Sequence, residues 1–286
     1  LSVFAGGCTP EAAQAVCADG ASSSTHVLDG IASLLDKNLL HRETGLNGEP
    51  RYVMLETVRE YALERLTLSG RGAGLLARHA GYFVQLVEHV ERVDPDPGRI
   101  QLHRLLDNDI YDIRAALAWA ATHDVQAALL LTAALLEWLS ARGPFVEATR
   151  LINEVFALPR ASEHTMARAK ALCEAGLLLQ FVGENVEAQA FAEESLALSQ
   201  ELGYPKGEAD ALLALVRIAS SGGNRNAAHW HLENALACYR TLDAPGGISQ
   251  SLALLGEIAL EQADLPRTRA LCAESLAVAQ RAGFAY

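Results

Sequence analysis

Apolar positions recur every 40 residues in the C-terminal half of the chain. Within each interval they follow the i, i+3, i+4, i+7 spacing that places side chains on one face of an α-helix. Three intervals show this spacing, at Leu172, Ala175, Gly176 and Leu179, at Leu212, Leu215, Val216 and Ala219, and at Leu252, Leu255, Gly256 and Ala259. The pattern therefore predicts a series of helices that each bury one face.

Glycines with the same period indicate where these helices end. Gly143, Gly183 and Gly223 are 40 residues apart, and Ala263 holds the fourth place. Glycine adopts a positive φ without steric cost and commonly closes a helix. A small residue follows five places later, which would let a second helix approach closely, at Ala148, Ala188, Ala228 and Thr268.

A bulky apolar residue then recurs in the predicted second helix, at Phe156, Leu196, Leu236 and Leu276. Each copy is therefore expected to be a helical hairpin, and four consecutive copies are expected to stack as a solenoid. The alternative is an ordinary helical bundle in which the common spacing arises by chance.

The first 75 residues have a different pattern. Thr9, Pro10 and Glu11 form a helix start, and the stretch 27–35 carries a second helical stripe. Two short alternating runs, 39–42 and 51–55, predict a β-hairpin, and a third helix is expected at 56–68. The order helix, helix, hairpin, helix is typical of a winged-helix domain.

The fold class predicted from these patterns is mainly α, with a small winged-helix domain followed by an α-helical hairpin solenoid. We expect the winged-helix domain at 1–75, connecting helices at 76–124 and repeats of about 40 residues at 125–286. The most apolar run, 125–141, contains Glu137 and is short for a membrane span, so we expect it to be a buried helix.

Composition narrows the class of protein. Half of the 286 residues are hydrophobic and the formal net charge is −12, which favours a folded protein without a phosphate-backbone partner. The five cysteines are odd in number and none is spaced C-x-x-C, so they indicate a reducing, cytoplasmic location without a disulfide framework or a zinc site. The absence of a signal peptide and of an initiator Met suggests a piece of a longer polypeptide.

Three stretches resemble the winged-helix portion of bacterial signal-transduction ATPases of the STAND class. They are LSVFAGG at 1–7, LLDKNLL at 34–40 and RYVMLETVREYA at 51–62. They are similar to AfsR and LuxR-type transcription regulators, in which tetratricopeptide repeats follow. The stretch DNDIYDIRAALAW at 107–119 resembles the helix that those proteins place before the repeats. The repeats at 129–286 resemble that repeat family, including the pair Leu255-Gly256.

The resemblance implies an upstream ATPase domain in the full-length chain. No G-x-x-x-x-G-K-[ST] motif occurs in these 286 residues, so no cofactor is expected in this part of the protein. Related ATPases carry a Met-His-Asp motif after the wing, where this chain has Met54, Leu55 and Glu56. Leu55 cannot supply an imidazole, and helix N-capping is the expected role of Glu56.

Direct contact with nucleic acid and catalysis are both disfavoured. Residues 1–75 hold six basic and nine acidic side chains, without the phosphate anchors that a groove-reading helix needs. His229 and His231 are two residues apart and would lie on different sides of a helix, so they are not expected to bind a metal. No nucleophile and base occur in a recognisable catalytic context, and no enzyme is predicted.

Candidate binding residues lie where the first helix of each hairpin would face the concave side of the solenoid. The positions are counted from Gly176 and its equivalents in the other copies. Two rows of candidates lie one and four residues after that position, and a third row lies one further turn towards the N-terminus of the same helix. The candidate residues are Glu137, Ser140, Lys170, Gln180, Asp210, Arg217, Ser220, Gln250 and Glu257, with Leu177 and Leu260 in the same rows. This mixed-charge face suits a protein, a peptide or a small-molecule inducer, although each residue singly could be an ordinary solvated position.

Two functions fit these patterns. The first is the sensor and regulatory part of a STAND-type transcription regulator, which binds an inducer or partner and relays binding through the winged helix. The second is a free-standing interaction scaffold. The last hairpin would leave Leu271 and Leu276 without a following repeat, so we also expect self-association through this end or a continuation by further repeats.

Overall fold

The computed structural model describes residues 1–18, 24–46, 48–93 and 100–283. The described part is mainly α-helical, as predicted, with a small winged-helix region and a helical-repeat body. Its elements are α1 Pro10–Cys17, α2 Ser24–Asp36, β1 Leu40–Thr44, β2 Pro50–Met54, α3 Glu56–Leu68, α4 Gly72–Val93, α5 Ile100–His123, α6 Val125–Arg142, α7 Phe145–Phe156, α8 Met166–Val182, α9 Asn185–Glu201, α10 Pro205–Ser221, α11 Arg225–Thr241, α12 Pro245–Glu261 and α13 Leu265–Arg281.

The chain forms two compact units. The first comprises Leu1–Glu91 and Gln101–Leu131, and the second comprises Arg92–Ile100 and Thr132–Tyr286. Helices α4 and α5, which the sequence suggested as connectors, are largely part of the first unit. The domain limits 1–75, 76–124 and 125–286 stay a prediction.

The first unit has the predicted order of two helices, a hairpin and a third helix. The Thr9 side chain caps α1 by accepting a hydrogen bond from the backbone N–H of Ala12 at 3.2 Å. Strands β1 and β2 pair antiparallel from Leu40 opposite Met54 to Thr44 opposite Pro50. An isolated bridge between Cys8 and Tyr52 extends the pairing to the first residues of the chain. The buried side chains of this unit include Phe4, Val16, Ile31, Phe83, Val87, Leu102, Leu106 and Ile113.

The second unit carries the predicted hairpins, in which α6, α8, α10 and α12 are first helices and α7, α9, α11 and α13 are second helices. All four positions of the predicted turn series have positive φ: Gly143 at 67°, Gly183 at 91°, Gly223 at 73° and Ala263 at 57°. The turn that leads to the following hairpin has its own series, at Gly203, Asp243 and Gly283, also with positive φ. That second series was not predicted as a series.

Small residues bring the two helices of a hairpin together. Ala148, Ala188 and Ala228 are almost fully buried, and a Cβ atom at Gly176 would lie 3.0 Å from the Ala188 carbonyl oxygen. Larger side chains at these places would separate the helix backbones, since cores are packed to crystal-like density. The close approach explains the small residues in the sequence pattern.

Helix α6 has the length and hydropathy of a membrane span, and among the described residues it alone does. Its Leu136 and Leu139 are nevertheless buried in a cluster with Ile152, Leu178 and Leu215 of the following helices. Continuous apolar sequence is what a helix surrounded by other helices requires. The helix therefore has the environment of a core helix.

Candidate binding surface on the first helices of the repeats

The nine candidate residues all lie on first helices of the hairpins. Helix α6 carries Glu137 and Ser140, and α8 carries Lys170 and Gln180. Helix α10 carries Asp210, Arg217 and Ser220, and α12 carries Gln250 and Glu257. All nine side chains are exposed or half-buried. We call this set the first-helix surface.

The 40-residue period arranges the first-helix surface in rows across successive helices. One row contains Lys170, Asp210 and Gln250, a second contains Glu137, Arg217 and Glu257, and a third contains Ser140, Gln180 and Ser220. Because α8 and α10 pack directly against each other, Lys170 and Asp210 lie on adjacent helices, and so do Gln180 and Ser220. The 40-residue register assigns the other members to equivalent positions of α6 and α12.

An apolar strip separates the first two rows and was not predicted. It contains the residue three places after each member of the first row, namely Cys173, Leu213 and Ala253. Cys173 is 4% exposed and Leu213 is 9% exposed, so the strip is largely buried between the two polar rows.

Asp210 is held in place by two donors. Lys206 Nζ lies 2.7 Å from one carboxylate oxygen, and the Tyr239 hydroxyl donates to the other at 2.7 Å. Tyr239 belongs to the second helix α11, which the sequence analysis did not include in the surface. Its ring fits because residue 247 is glycine, where a Cβ atom would overlap the ring.

The glycine beside the Tyr239 ring recurs in the repeat register. Gly247, near the start of α12, stands 40 residues after Gly207, near the start of α10. At Gly207 a Cβ atom would overlap the ring of Tyr204, so both helix starts use a glycine to accommodate a tyrosine ring. The two rings differ in register, because Tyr239 stands 40 residues after Ser199, so the glycines alone did not reveal Tyr239.

A small cleft lies between α8 and α10. Its polar lining includes Lys170, Glu174, Tyr204 and Asp210, and its accessible volume is about 10 Å³. Pockets for small ligands usually measure about 300–1,000 Å³. Glu174 is 8% exposed and was missed by the sequence analysis. The cleft therefore has room for about one water molecule.

The candidate side chains differ in whether they already have a hydrogen-bond or ion-pair partner within the chain. The Ser140 hydroxyl donates to the Leu136 carbonyl at 2.8 Å, which is a local bond within α6. Arg217 is exposed, and its guanidinium has no ion-pair partner in the described part of the chain. Arg217 is therefore the cation of this surface that is best placed to meet a ligand carboxylate.

Two other sequence interpretations can be compared with the structure. His229 and His231 are both half-buried, and burial lowers the pKa of His231. Among the described residues, no group of three or more His, Cys, Asp or Glu side chains is arranged to hold a metal. The two histidines pack along α11.

Glu56 does not cap α3, contrary to the sequence prediction. The N-cap residue is Leu55, which has no side-chain cap, and Glu56 is the first residue of the helix. Its carboxylate accepts hydrogen bonds from Arg59 at 2.6 and 3.0 Å, and this pairing lowers the pKa of Glu56. A residue inside the first turn cannot supply the N-cap bond, so it pairs at i+3 instead.

The helix that follows the turn in the helix-turn-helix region has no basic face. Helix α2 contains neither Lys nor Arg, and its exposed positions include His26, Leu28 and Asp29. Helices that read the major groove carry Arg, Lys, Asn or Gln towards the bases and contact phosphates nearby.

Comparison with known proteins gives a consistent picture. Residues 1–67 match the family model described as a winged helix-turn-helix domain. Over 260 residues, 88% of this chain, the sequence is 30% identical to "Putative HTH-type transcriptional regulator Mb0914c" of Mycobacterium bovis and, with the same figures, to "Putative HTH-type transcriptional regulator Rv0890c" of Mycobacterium tuberculosis. The match spans 29% of the length of these relatives.

Solved structures show a similar fold. A signal transduction ATPase with numerous domains (STAND) with a tetratricopeptide repeat sensor, from Pyrococcus horikoshii, aligns with 99% of this chain and 43% of its own at a TM-score of 0.55 and 13% identity. Aspartyl phosphate phosphatase F from Bacillus subtilis aligns with 91% of this chain and 62% of its own at a TM-score of 0.56 and 12% identity. At such identities the likeness concerns the fold alone.

Proposed function

We propose that this chain is the sensor and regulatory part of a STAND-type transcription regulator. Its repeats bind an inducer or partner protein through the first-helix surface, and the winged-helix unit relays binding to an ATPase domain in the full-length protein. The winged helix-turn-helix match and the relationship to HTH-type regulators support a regulatory role. We place the protein in the cytoplasm and assign no catalytic step to it.

The arrangement of rows on the first helices is the observation that carries this proposal. Polar residues of both signs border an apolar strip, and the rows run across successive hairpins. The cleft between α8 and α10 is too small to enclose a typical organic ligand. An extended protein segment therefore fits the surface better than a small-molecule inducer, which remains the alternative ligand class.

The charge of the first unit supports a role without direct nucleic-acid contact. Its α2 lacks basic residues, and the chain as a whole has a net charge of −12. Phosphate contacts supply most of the affinity in protein–DNA binding. We propose that the winged helix is a packing and switching module, and that other parts of the full-length regulator contact DNA.

A free-standing interaction scaffold is the second candidate function. Leu55 stands where the resemblance would place a nucleotide-sensing histidine, and its side chain is 56% exposed. Such a residue favours a chain whose winged helix does not read a nucleotide. The sequence of the full-length gene distinguishes the two candidates, because the regulator requires a nucleotide-binding P-loop and the scaffold does not.

The last hairpin offers a surface for a second copy of the chain. Leu276 is 48% exposed, whereas Leu236 at the same register is 7% exposed because α12 follows and packs on α11. Residues 284–286, at the end of this hairpin, lie outside the described part of the chain. We propose self-association through α13 as the use of this surface, with further repeats in a longer chain as the alternative.

Peptide selection tests binding by the first-helix surface. A phage-displayed random dodecapeptide library is selected on the immobilised protein, and the enriched peptides are titrated by fluorescence anisotropy. We expect Arg217→Glu to weaken binding about tenfold, because it reverses the charge of the unpaired cation on the surface. Arg269→Glu is the matched control, since Arg269 is exposed on the second helix α13.

The titration has two outcomes that contradict the proposal. Equal affinities for the parent and for Arg217→Glu would remove Arg217 from the binding surface. Failure to enrich any peptide would contradict a surface built for extended protein segments.

A further inference from the structure

A buried carboxylate in the first unit holds the first residues of the chain. Asp112, on α5, is 0% exposed. Its two oxygens accept hydrogen bonds from the backbone N–H groups of Ala5 at 2.6 Å and Gly6 at 3.0 Å. A buried charge needs such donors because it has lost its hydration. The segment 1–7 is thereby attached to a helix more than 100 positions away in sequence.

Arg51 makes a second attachment to the same segment. This side chain comes from strand β2 and is 9% exposed. One terminal nitrogen donates to the carbonyls of Gly7 at 2.7 Å and Gly6 at 3.3 Å, and the other donates to Asp109 of α5 at 2.8 Å. A single guanidinium thus connects the hairpin, the segment 1–7 and α5 through its planar set of donors.

Helix α5 departs from helical geometry at the residue that Arg51 binds. Asp109 has φ −120° and ψ 19° within an otherwise continuous helix. Its neighbour Asn108 donates from its side chain to the Arg104 carbonyl and accepts a hydrogen bond from the Leu46 N–H of the hairpin tip. A side chain that takes a helix carbonyl is a recognised cause of a kink. The kink is therefore associated with two side-chain contacts between α5 and the hairpin.

Aromatic packing places a further group, the His79 ring, against Asp112. His79 of α4 is 1% exposed, and its Nε2 lies 3.1 Å from an Asp112 oxygen. Its ring lies 5.2 Å from the ring of Phe4 and 4.9 Å from that of Phe83. Phe4 belongs to the segment 1–7, so ring packing and hydrogen bonding hold the segment at the same place.

We infer that Arg51, His79, Asp109 and Asp112 form a releasable clasp that couples the segment 1–7 to the kink of α5. In the closed state Arg51 binds both the segment carbonyls and Asp109. A change in α5 that withdraws Asp109 removes the carboxylate to which the guanidinium donates a hydrogen bond and leaves Asp112 at 3.9 Å beside it, and this weakens the hold on Gly6 and Gly7. The coupling is reciprocal, as any energetic coupling between two contacts must be.

The clasp has the composition of a switch. Its contacts are a few directional hydrogen bonds around one cation, and such networks change as a unit because each member depends on the others. Loss of the kink would give α5 a second, straight conformation, and two discrete arrangements are what a relay element requires. The apolar cores on either side need not change.

This inference deepens the relay step of the proposed function and rests on it. In the proposed regulator, segment 1–7 connects the winged-helix unit to the ATPase domain, and α5 precedes the helices of the repeats. The clasp assigns that relay to named side chains. The clasp is tested in the first unit without any ligand. The clasp can therefore be refuted while peptide binding by the repeats is confirmed.

Hydrogen exchange of the full chain tests the coupling. Asp109→Asn removes the charge that Arg51 binds on α5, but Asp109 itself has no hydrogen bond to Ala5 or Gly6. We expect NMR-detected exchange of the Ala5 and Gly6 amides to become about threefold to tenfold faster in this variant. Asp112→Asn, which replaces one acceptor oxygen by a donor, should accelerate the same amides by at least about tenfold.

Two controls separate release of the segment from general unfolding. Glu64→Gln removes the same charge from an exposed position of α3 and should leave both amides unchanged. The amides of Phe83 and Val87 in the buried part of α4 should keep their protection in all variants. Unchanged exchange at Ala5 and Gly6 in Asp109→Asn would overturn the clasp, and so would equal acceleration at Phe83 and Val87.

Discussion

Ala263 is the one member of the predicted turn series that is not glycine, and its left-handed backbone gives a direct test of the repeat interpretation. Its φ of 57° matches the positive φ of Gly143, Gly183 and Gly223. An L-residue in this conformation costs roughly 1–2 kcal/mol because its Cβ approaches the following carbonyl oxygen. We therefore expect Ala263→Gly to relieve this cost.

The net stabilisation by Ala263→Gly is smaller than the strain energy that the substitution relieves. Glycine loses more backbone freedom on folding, which lowers stability by about 0.4–1 kcal/mol. The difference predicts that Ala263→Gly stabilises the last hairpin by about 0.5–1 kcal/mol. The reverse change, Gly223→Ala, should destabilise by a similar amount, because no atom lies within 4 Å of the added Cβ and only the backbone conformation matters.

Urea denaturation followed by far-UV circular dichroism measures this effect, and exchange of the α13 amides locates it. Ala270→Gly is the control, since Ala270 is exposed within α13 and an Ala-to-Gly change in a helix interior costs about 1 kcal/mol. The two glycine variants should change stability in opposite directions. If Ala263→Gly destabilised the protein as Ala270→Gly does, the left-handed turn would be refuted.

Three further outcomes depend on the same repeats and on the first unit. Gly247→Ala should lower the free energy of unfolding by about 1–3 kcal/mol, because the added Cβ overlaps the Tyr239 ring. In a Tyr239→Ala background this loss should vanish. Equal losses in both backgrounds, measured by urea denaturation, would contradict the overlap. Burial raises the pKa of the Cys8 thiol to about 12. Iodoacetamide near pH 8 should therefore alkylate the exposed Cys272 and spare Cys8 in the native protein, which peptide mass spectrometry would show. Rapid labelling of Cys8 would contradict this prediction. Light scattering should detect self-association of the parent that Leu276→Glu abolishes, and a strictly monomeric parent would exclude this use of α13.

The repeat architecture could be predicted from the sequence because each repeat has the same physical requirements at equivalent positions. Each first helix needs an apolar face, each turn needs a residue that accepts positive φ, and each second helix needs a small residue at its contact. A 40-residue register makes these requirements visible even where one copy departs from the pattern, as at Ala263. The mainly α class followed directly from that register.

The polar contacts could not be predicted in the same way because each occurs once. Arg51 and Asp112 lie 61 positions apart in sequence and belong to different elements, so no local spacing connects them. The resemblance identified the stretch 107–119 as the helix before the repeats without giving a role to its aspartates, and the structure shows Asp109 bound to Arg51 and Asp112 bound to the segment 1–7. Tyr239 was missed because its second-helix position suggested core packing alone.

Binding of a protein segment by the first-helix surface is the central claim, and photocrosslinking tests it most directly. A selected peptide that carries benzoylphenylalanine is bound to the full chain and irradiated, and the crosslinked residues are identified by mass spectrometry. The account predicts crosslinks on α8, α10 and α12, within the rows around Arg217. Crosslinks confined to the second helices α9, α11 and α13, or to the first unit, would contradict it.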